Sequence, residues 1–368
     1  MPGVAQALLP WFETHRRVLP FRQDPTPYHI WISEIMLQQT RMTAAVPYYE
    51  RFVAELPDPA ALAACDPERL RKLWQGLGYY SRAANLQKAA KIICERYGGR
   101  LPADYDALRA LPGIGDYTAG AIASIGFGLP APAVDGNVLR VFARLDNDDA
   151  DVTRPAAKRR FTARVMEEQP AGRPGDFNQA LMELGALVCL PNGAPLCGQC
   201  PLAALCRGRA AGRAEQLPVK PAKKPKPELA FTVAVVHGPK GVLLQKRPER
   251  GLLAGLWQPL LLEGALAPPQ LADALAALGL PACSLQPLGA AKHVFTHKVW
   301  RMQGYLARTD ACALPDRCVW ATAEQLETAY SVPSAFAAFA PAMSAPAQEG
   351  QTALDTPRQQ TQAKERNL

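Results

Sequence analysis

The chain has 368 residues, 48% hydrophobic and 20% charged, a globular profile with room for two ordinary domains that each bury a core. A net charge of +8 favours an anionic partner, but the excess is spread over both halves, so any nucleic-acid footprint must come from local placement and not from a basic tail. The opening MPGVAQALLPWFETHRR lacks a basic start, and the one long uncharged run, TAGAIASIGFGLPAPAV, is too short and too rich in Gly and Pro to span a bilayer, so the expectation is a cytoplasmic protein with no secretory leader and no membrane partner.

Residues 1–217 read mainly as helices. DPERLRKLWQGL and RAANLQKAAKIICERY place apolar residues at three- and four-residue spacing. In PYHIWISEIMLQQTR, helical spacing puts Ile30, Glu34 and Leu37 on one face. A carboxyl on an apolar face loses water and its pKa rises, although a helix-surface glutamate or a cap partner fits the same pattern. LPGIGDYTAG is a tight turn that opens a helix. Gly113 and Gly115 permit angles other residues resist, and the exposed N–H groups can cradle a phosphate or simply reverse the chain. Asp135, in AVDGNV, suits a turn or a helix cap as well as chemistry. FNQALMELGA is an amphipathic helix in outline.

Four of nine cysteines crowd into CLPNGAPLCGQCPLAALC, as Cys189, Cys197, Cys200 and Cys206. A close pair flanked by one long and one medium interval lets four sulfurs wrap one centre. Four thiolates suit zinc or an iron–sulfur cluster, and the single close pair leans toward 4Fe-4S. PVKPAKKPKPE, residues 218–228, holds four prolines and four lysines and reads as an extended, basic linker. Residues 229–343 change texture: LAFTVAVV and GVLLQKR flank HGPK as strand–turn–strand, PPQLADALAALGL reads as a helix, and HVFTHKVWRMQGYLA alternates like a strand. This is a smaller α+β domain. From Ser344 the chain is polar without apolar periodicity, and disorder is expected over 344–368.

The glycine turn, the aspartate after it and the four-cysteine loop, in that order, resemble the helix-hairpin-helix DNA glycosylases of the endonuclease III superfamily. The resemblance covers nearly all of residues 1–217. Lyase members carry a lysine within LPGxGxK whose amine forms a Schiff base; Tyr117 stands at that place. With the WxSExMLQQT motif, the chain resembles the MutY-type adenine glycosylases. The fold implied is a mainly α helix-hairpin-helix domain with an iron–sulfur loop, plus a smaller α+β Nudix-like C-terminal domain. The activity implied is base excision repair: hydrolysis of the N-glycosidic bond of a flipped adenine mispaired with 8-oxoguanine or guanine in double-stranded DNA, by a monomer associated with the nucleoid, essentially without strand cutting.

Cleaving that bond needs a proton on the departing base and a negative charge near the cationic sugar, a task suited to two carboxyls in different protonation states. By resemblance Glu34 is the acid that protonates adenine N7, and Asp135 stabilises the oxocarbenium ion as a charge or a transient nucleophile. Tyr117 bonds near both, and Asn137 positions Glu34 or water. Arg17 and Arg22, in RRVLPFR, resemble adenine-pocket arginines, with Phe21 replacing the usual Trp; Leu37 resembles a pocket wall and Gln179 the reader of the adenine edge. Gln39 and Tyr79 resemble the wedge that fills the gap left by a flipped base, and Gly113 and Gly115 the backbone grip. KHVFTH resembles the lesion-checking loop, with Phe295 and His297 flanking Thr296 in place of Ser; an ordinary strand fits these residues too. The cysteines, spaced one residue wider in the first loop than is usual, resemble ligands of one structural 4Fe-4S cluster. Two rivals stay open: an endonuclease III-like lyase, which Tyr117 argues against, and a non-catalytic DNA binder; a Nudix hydrolase would need paired glutamates to bind magnesium, and with only Glu263 kept the second domain reads as a fold reused for recognition.

Overall fold

A computed structural model describes residues 3–222 and 225–345. The described chain falls into two units: one within Met1–Pro227, with Arg247–Leu256 and Ala329–Ser334, and the other within Glu228–Lys246, Trp257–Thr328 and Ala335–Leu368. Residues 247–256 and 329–334, part of the C-terminal block by sequence, thus group with the N-terminal unit. Of the tail expected to be disordered, 346–368 lies outside the described residues, and Ser344 closes a helix that begins at Ala340. No helix among the described residues is long and apolar enough to cross a membrane.

The first unit is helical, and six helices carry the argument: α1 Val4–His15, α2 Pro27–Leu37, α3 Ser81–Tyr97, α4 Asp116–Ala121, α5 Gly136–Leu145 and α6 Pro174–Leu187. α2 starts where Pro27 fits the first turn and the Thr26 hydroxyl accepts from the His29 N–H at 3.2 Å. Tyr28 and Ile30 through Met36 are all buried, so the helix is covered all round and not along a single stripe. α3 ends at Gly98, φ 59, with the Gly99 N–H closing onto the Ile93 carbonyl. α4 runs on into a wider π-helical turn, Ile122–Gly126.

Two cores build this unit. Trp31, Phe52, Trp74, Ile93, Leu108 and Ile122 belong to one. Leu8, Phe12, Phe142, Phe161, Phe177 and Leu181 belong to the other. α2 is rooted in the first, and α5 and α6 in the second, so a side chain leaving α2 can face the start of α5.

The second unit is a mixed seven-stranded sheet with strands β1 Glu228–Gly238, β2 Gly241–Lys246, β3 Trp257–Gln258, β4 Leu260–Glu263, β5 Ser284–Val294, β6 Val299–Arg308 and β7 Cys318–Ala321. β1 is central: parallel to β6, antiparallel to β2 and β4. Its residues Thr232–Gly238 are buried without alternation, as expected of a strand covered on both faces. Helix α7, Pro268–Ala277, covers the sheet with Leu271 and Leu275. HVFTHKVWRMQGYLA is not one strand. β5 ends at Val294, residues 295–298 turn with Phe295 N–H donating to the Lys298 carbonyl at 2.9 Å, and β6 follows.

Candidate active site

Glu34 projects from α2 and is 8% exposed. Tyr117, in the first turn of α4, donates its hydroxyl to Glu34 Oε2 at 2.6 Å and lies 3.4 Å from Met182 Sδ. Burial is the main influence on the carboxyl and pushes its pKa to about 7; the Tyr117 bond and Arg22 pull down, while Asp135 pushes up. Glu34 is therefore a group that carries a proton part of the time at neutral pH. Tyr117 is driven well above its ordinary value, first by burial and then by Glu34, and stays a neutral donor.

Asp135 is the N-cap of α5, its Oδ1 accepting from the Asn137 and Val138 N–H groups at 2.8 Å each. The cap role open from sequence is thus real, and Asp135 also lines the same cavity as Glu34. Asn137 does not reach Glu34. Its amide donates to Asp135 Oδ2 at 2.7 Å, and its own carbonyl accepts from Arg140 at 2.8 Å. The sequence pointed Asn137 at Glu34 or a water; i,i+2 geometry at a helix start brings its amide to the cap Asp135. Burial raises the Asp135 pKa, opposed by these hydrogen bonds and by Arg140. Close approach of α6 makes the arrangement possible: a Cβ on Gly185 would meet Asn137 Cβ at 2.5 Å.

One cavity of ≈ 620 Å³ collects Arg17, Arg22, Glu34, Leu37, Gln39, Tyr117, Asp135, Asn137 and Gln179. Its volume suits a small organic group. Ile30, Glu34 and Leu37 all face it, as the helical spacing predicts. Arg17 and Arg22 line it, and both guanidinium groups bind Glu183. Arg17 reaches Glu183 at 2.9 and 2.7 Å, and Arg22 reaches it at 3.1 and 3.2 Å. Burial works to raise the Glu183 pKa, yet the two guanidinium groups outweigh it and hold the carboxyl at about 2. Glu183 was missed in the sequence, although it lies four residues after Gln179 and hence on the same face of α6.

The rim is a second cavity of ≈ 320 Å³, lined by Gln39, Tyr79, Arg82, Asn85 and Gly113 among others. Gln39 lines both cavities; Tyr79 and Gly113 belong only to the rim. Gln39 and Tyr79 are exposed and both adopt left-handed backbone, φ 62 and φ 47, which side chains with a Cβ adopt at a cost of about 1–2 kcal/mol. Gly113, φ 80, needs its freedom twice over, since a Cβ there would also meet Asn85 Cβ at 2.8 Å. Gly115 does not: its φ of −98 suits any residue and nothing crowds it. Beyond Tyr117 a third hollow, of ≈ 960 Å³, runs past Gly115 and Asp135 to Lys158, Arg159 and Lys220. Lys158 and Arg159, on the helix Pro155–Glu168, were not singled out in the sequence.

Cys189, Cys197, Cys200 and Cys206 line one small cavity with Val141, Arg144, Leu184 and Leu202. Burial, and then the neighbouring thiols, push Cys200 to about 11 against a backbone hydrogen bond that lowers it. Among the described residues no group of three or more such side chains is drawn together closely enough to hold a metal ion. The donor set itself fits an iron–sulfur group: four thiols share an apolar pocket, with Arg144 donating to Cys189 Sγ at 3.2 Å and the Arg209 N–H to Cys206 Sγ at 3.4 Å.

In the second unit Phe295, Thr296 and His297 occupy the β5–β6 turn, not a strand. Phe295 packs on His293 and Trp300, while Thr296 and His297 are exposed at the tip. Glu263 ends β4 opposite Phe231, and α7 after it carries Asp273 as its one carboxylate.

Residues 32–166 match the family described as HhH-GPD superfamily base excision DNA repair protein, and residues 232–341 match the NUDIX domain. A human protein named adenine DNA glycosylase is 35% identical over 389 residues, 88% of this chain and 71% of its own. The mouse protein of the same name is 35% identical over 86% of this chain and 73% of its own. A solved thermostable thymine-DNA glycosylase is 29% identical, with a TM-score of 0.51 over 56% of this chain and 94% of that one.

Proposed function

This chain belongs to the adenine DNA glycosylases of the HhH-GPD superfamily, and from that premise we propose that it excises adenine standing opposite 8-oxoguanine or guanine, by flipping the base into the ≈ 620 Å³ cavity between Glu34 and Asp135. The observation that carries this reading is the Glu34 carboxyl: buried, bonded by Tyr117, held at about 7, and sharing the cavity with Asp135.

The reaction follows from that pair. Duplex binding places the adenine in the cavity, with Gln39 and Tyr79 filling the space it leaves and the Gly113 turn holding the backbone. Protonated Glu34 gives its proton to adenine N7. The N-glycosidic bond breaks with its electron pair on the base, and the sugar becomes an oxocarbenium ion facing Asp135. Asp135 keeps its charge directed there because Asn137 and two N–H groups fix its oxygens. Water adds to C1′ and yields a proton to the now ionised Glu34, leaving an abasic site and free adenine. Tyr117, having no amine, forms no Schiff base, so release proceeds without strand cutting. Gln179 and Leu37 contact the base; Arg17 and Arg22 hold Glu183 and shape the wall.

In the second unit the turn Phe295–Thr296–His297 presents a hydroxyl and an imidazole to the opposite 8-oxoguanine. The four cysteines would hold one 4Fe-4S cluster, which supplies a covalent staple for the loop after α6. Iron and sulfide assay of the purified protein, near four of each per chain, tests that assignment against zinc. The reading as a whole is tested with duplexes that place adenine opposite 8-oxoguanine, guanine or thymine: free adenine should come from the first two and not the third. Equal release from all three, or borohydride trapping of a covalent adduct, favours a different glycosylase.

A further inference from the structure

Arg82 is 8% exposed and sits in the first turn of α3, beneath the two residues assigned above to the wedge. One of its terminal nitrogens donates to the carbonyls of Ile35 at 2.7 Å, Met36 at 3.0 Å and Gln38 at 2.6 Å. The other donates to those of Leu77 at 3.0 Å and Gly78 at 3.1 Å. The plane lies over the Trp74 ring at 5.2 Å and the Tyr79 ring at 5.6 Å. Burial lowers its pKa to about 10, which leaves it charged at neutral pH.

The choice of acceptors is what sets this arginine apart from an ordinary buried cation. The Gln38 carbonyl belongs to the peptide whose N–H is that of Gln39, and the Gly78 carbonyl to the peptide whose N–H is that of Tyr79. Those two peptide planes set the near side of the φ rotation at 39 and at 79, the two left-handed residues of the rim, and the far side is held by the Thr40 N–H on the Leu37 carbonyl at 3.2 Å and by the Arg82 backbone N–H on the Tyr79 carbonyl at 2.9 Å. Such backbone persists only where the surroundings over-determine it. The Ile35 and Met36 carbonyls are among the open ones at the end of α2, so the same group ties both loops to the helix that carries Glu34.

We infer that Arg82 is a positioning residue that sets Gln39 and Tyr79 side by side for insertion into the duplex, and so acts on base extrusion and not on bond cleavage. This rests on the wedge assignment made under the proposed function. A lysine keeps the charge but offers one compact ammonium in place of a planar fork, and cannot hold both loops in register.

The experiment measures single-turnover adenine release by the wild type, Tyr79→Ala, Arg82→Lys and the double variant on two duplexes. In one the adenine faces 8-oxoguanine; in the other it faces an abasic site, so no base pair must be broken. Arg82→Lys should be about 100-fold slower on the paired duplex and within about threefold of wild type on the abasic one, and the double variant should be no slower than the worse single variant. Equal losses on both duplexes, or losses that multiply in the double variant, overturn the inference. So does a Tyr79→Ala that keeps the wild-type rate on the paired duplex, since that removes the wedge. Failure of the functional reading shows separately, as a wild type that releases adenine from neither duplex. Should Arg82→Lys not fold by circular dichroism, Arg82→Gln is read by the same ratio.

Discussion

Tyr117 donates its hydroxyl to Glu34 Oε2 at 2.6 Å, and this bond pulls the carboxyl down while burial pushes it up to about 7. The two residues come from segments more than eighty positions apart, so the helix that follows the Gly113 turn supplies the partner of the Glu34 carboxyl. Position 117 thereby carries no amine and tunes the Glu34 carboxyl.

Tyr117→Phe removes a donor that favours the ionised form, so the Glu34 pKa should rise further. An acid catalyst works below its pKa and fails above it. The alkaline limb of adenine release should therefore move to higher pH by about 1 unit, the loss of one charge-assisted hydrogen bond. Single-turnover rates from pH 5 to 9 check this.

The same burial has a thermodynamic cost. A carboxyl whose folded pKa is raised above its unfolded value favours folding fully only below the unfolded value, here 4.5, and that contribution is lost as pH rises through about 7. Glu34→Gln escapes the loss. At pH 8 it should be more stable than wild type by up to about 3 kcal/mol, with the gap closing near pH 4.5. Urea midpoints at the two pH values measure it.

Glu183 behaves in the opposite way. Its folded pKa of about 2 lies below the unfolded value of 4.5, so its contribution is present above 4.5 and is lost as pH falls toward 2. Glu183→Gln strands the Arg17 and Arg22 guanidinium groups at the cavity wall. The cost should be about 3 kcal/mol at pH 7 and shrink in acid, read from denaturant midpoints at pH 7 and pH 3.

Gly185→Ala tests how Asp135 is held. The added Cβ would lie 2.5 Å from Asn137 Cβ, so α6 or the start of α5 must move. Destabilisation of about 1–3 kcal/mol should accompany an activity loss of about 100-fold, because a shifted Asn137 no longer fixes Asp135 Oδ2. A variant that loses stability and keeps its rate would separate the packing from the chemistry.

Much of this was legible in the chain. Helical spacing alone put Ile30, Glu34 and Leu37 on one face, and the turn at Gly113 was marked by residue type. What was hidden depends on partners distant in sequence. Glu183 claims Arg17 and Arg22 from about 160 residues away, and nothing near RRVLPFR signals it. Asn137 was pointed at Glu34 or a water, and that its amide meets Asp135 was not legible, because motif position says which residues gather but not which atoms meet. The alternation in HVFTHKVW reads as one strand because a tight turn between two strands need not contain glycine or proline. Gly115 looked required because it repeats Gly113, whereas its backbone is ordinary.

The central claim is that a buried Glu34, holding a proton near neutral pH, gives it to a departing adenine. The direct measurement is the single-turnover rate of adenine release from an adenine:8-oxoguanine duplex as a function of pH, for wild type and Glu34→Gln. The account predicts a wild-type rate that falls as pH rises through about 7, and a variant slower by at least about 100-fold with no such limb. A Glu34→Gln variant that releases adenine at the wild-type rate, with the same dependence on pH, would contradict it.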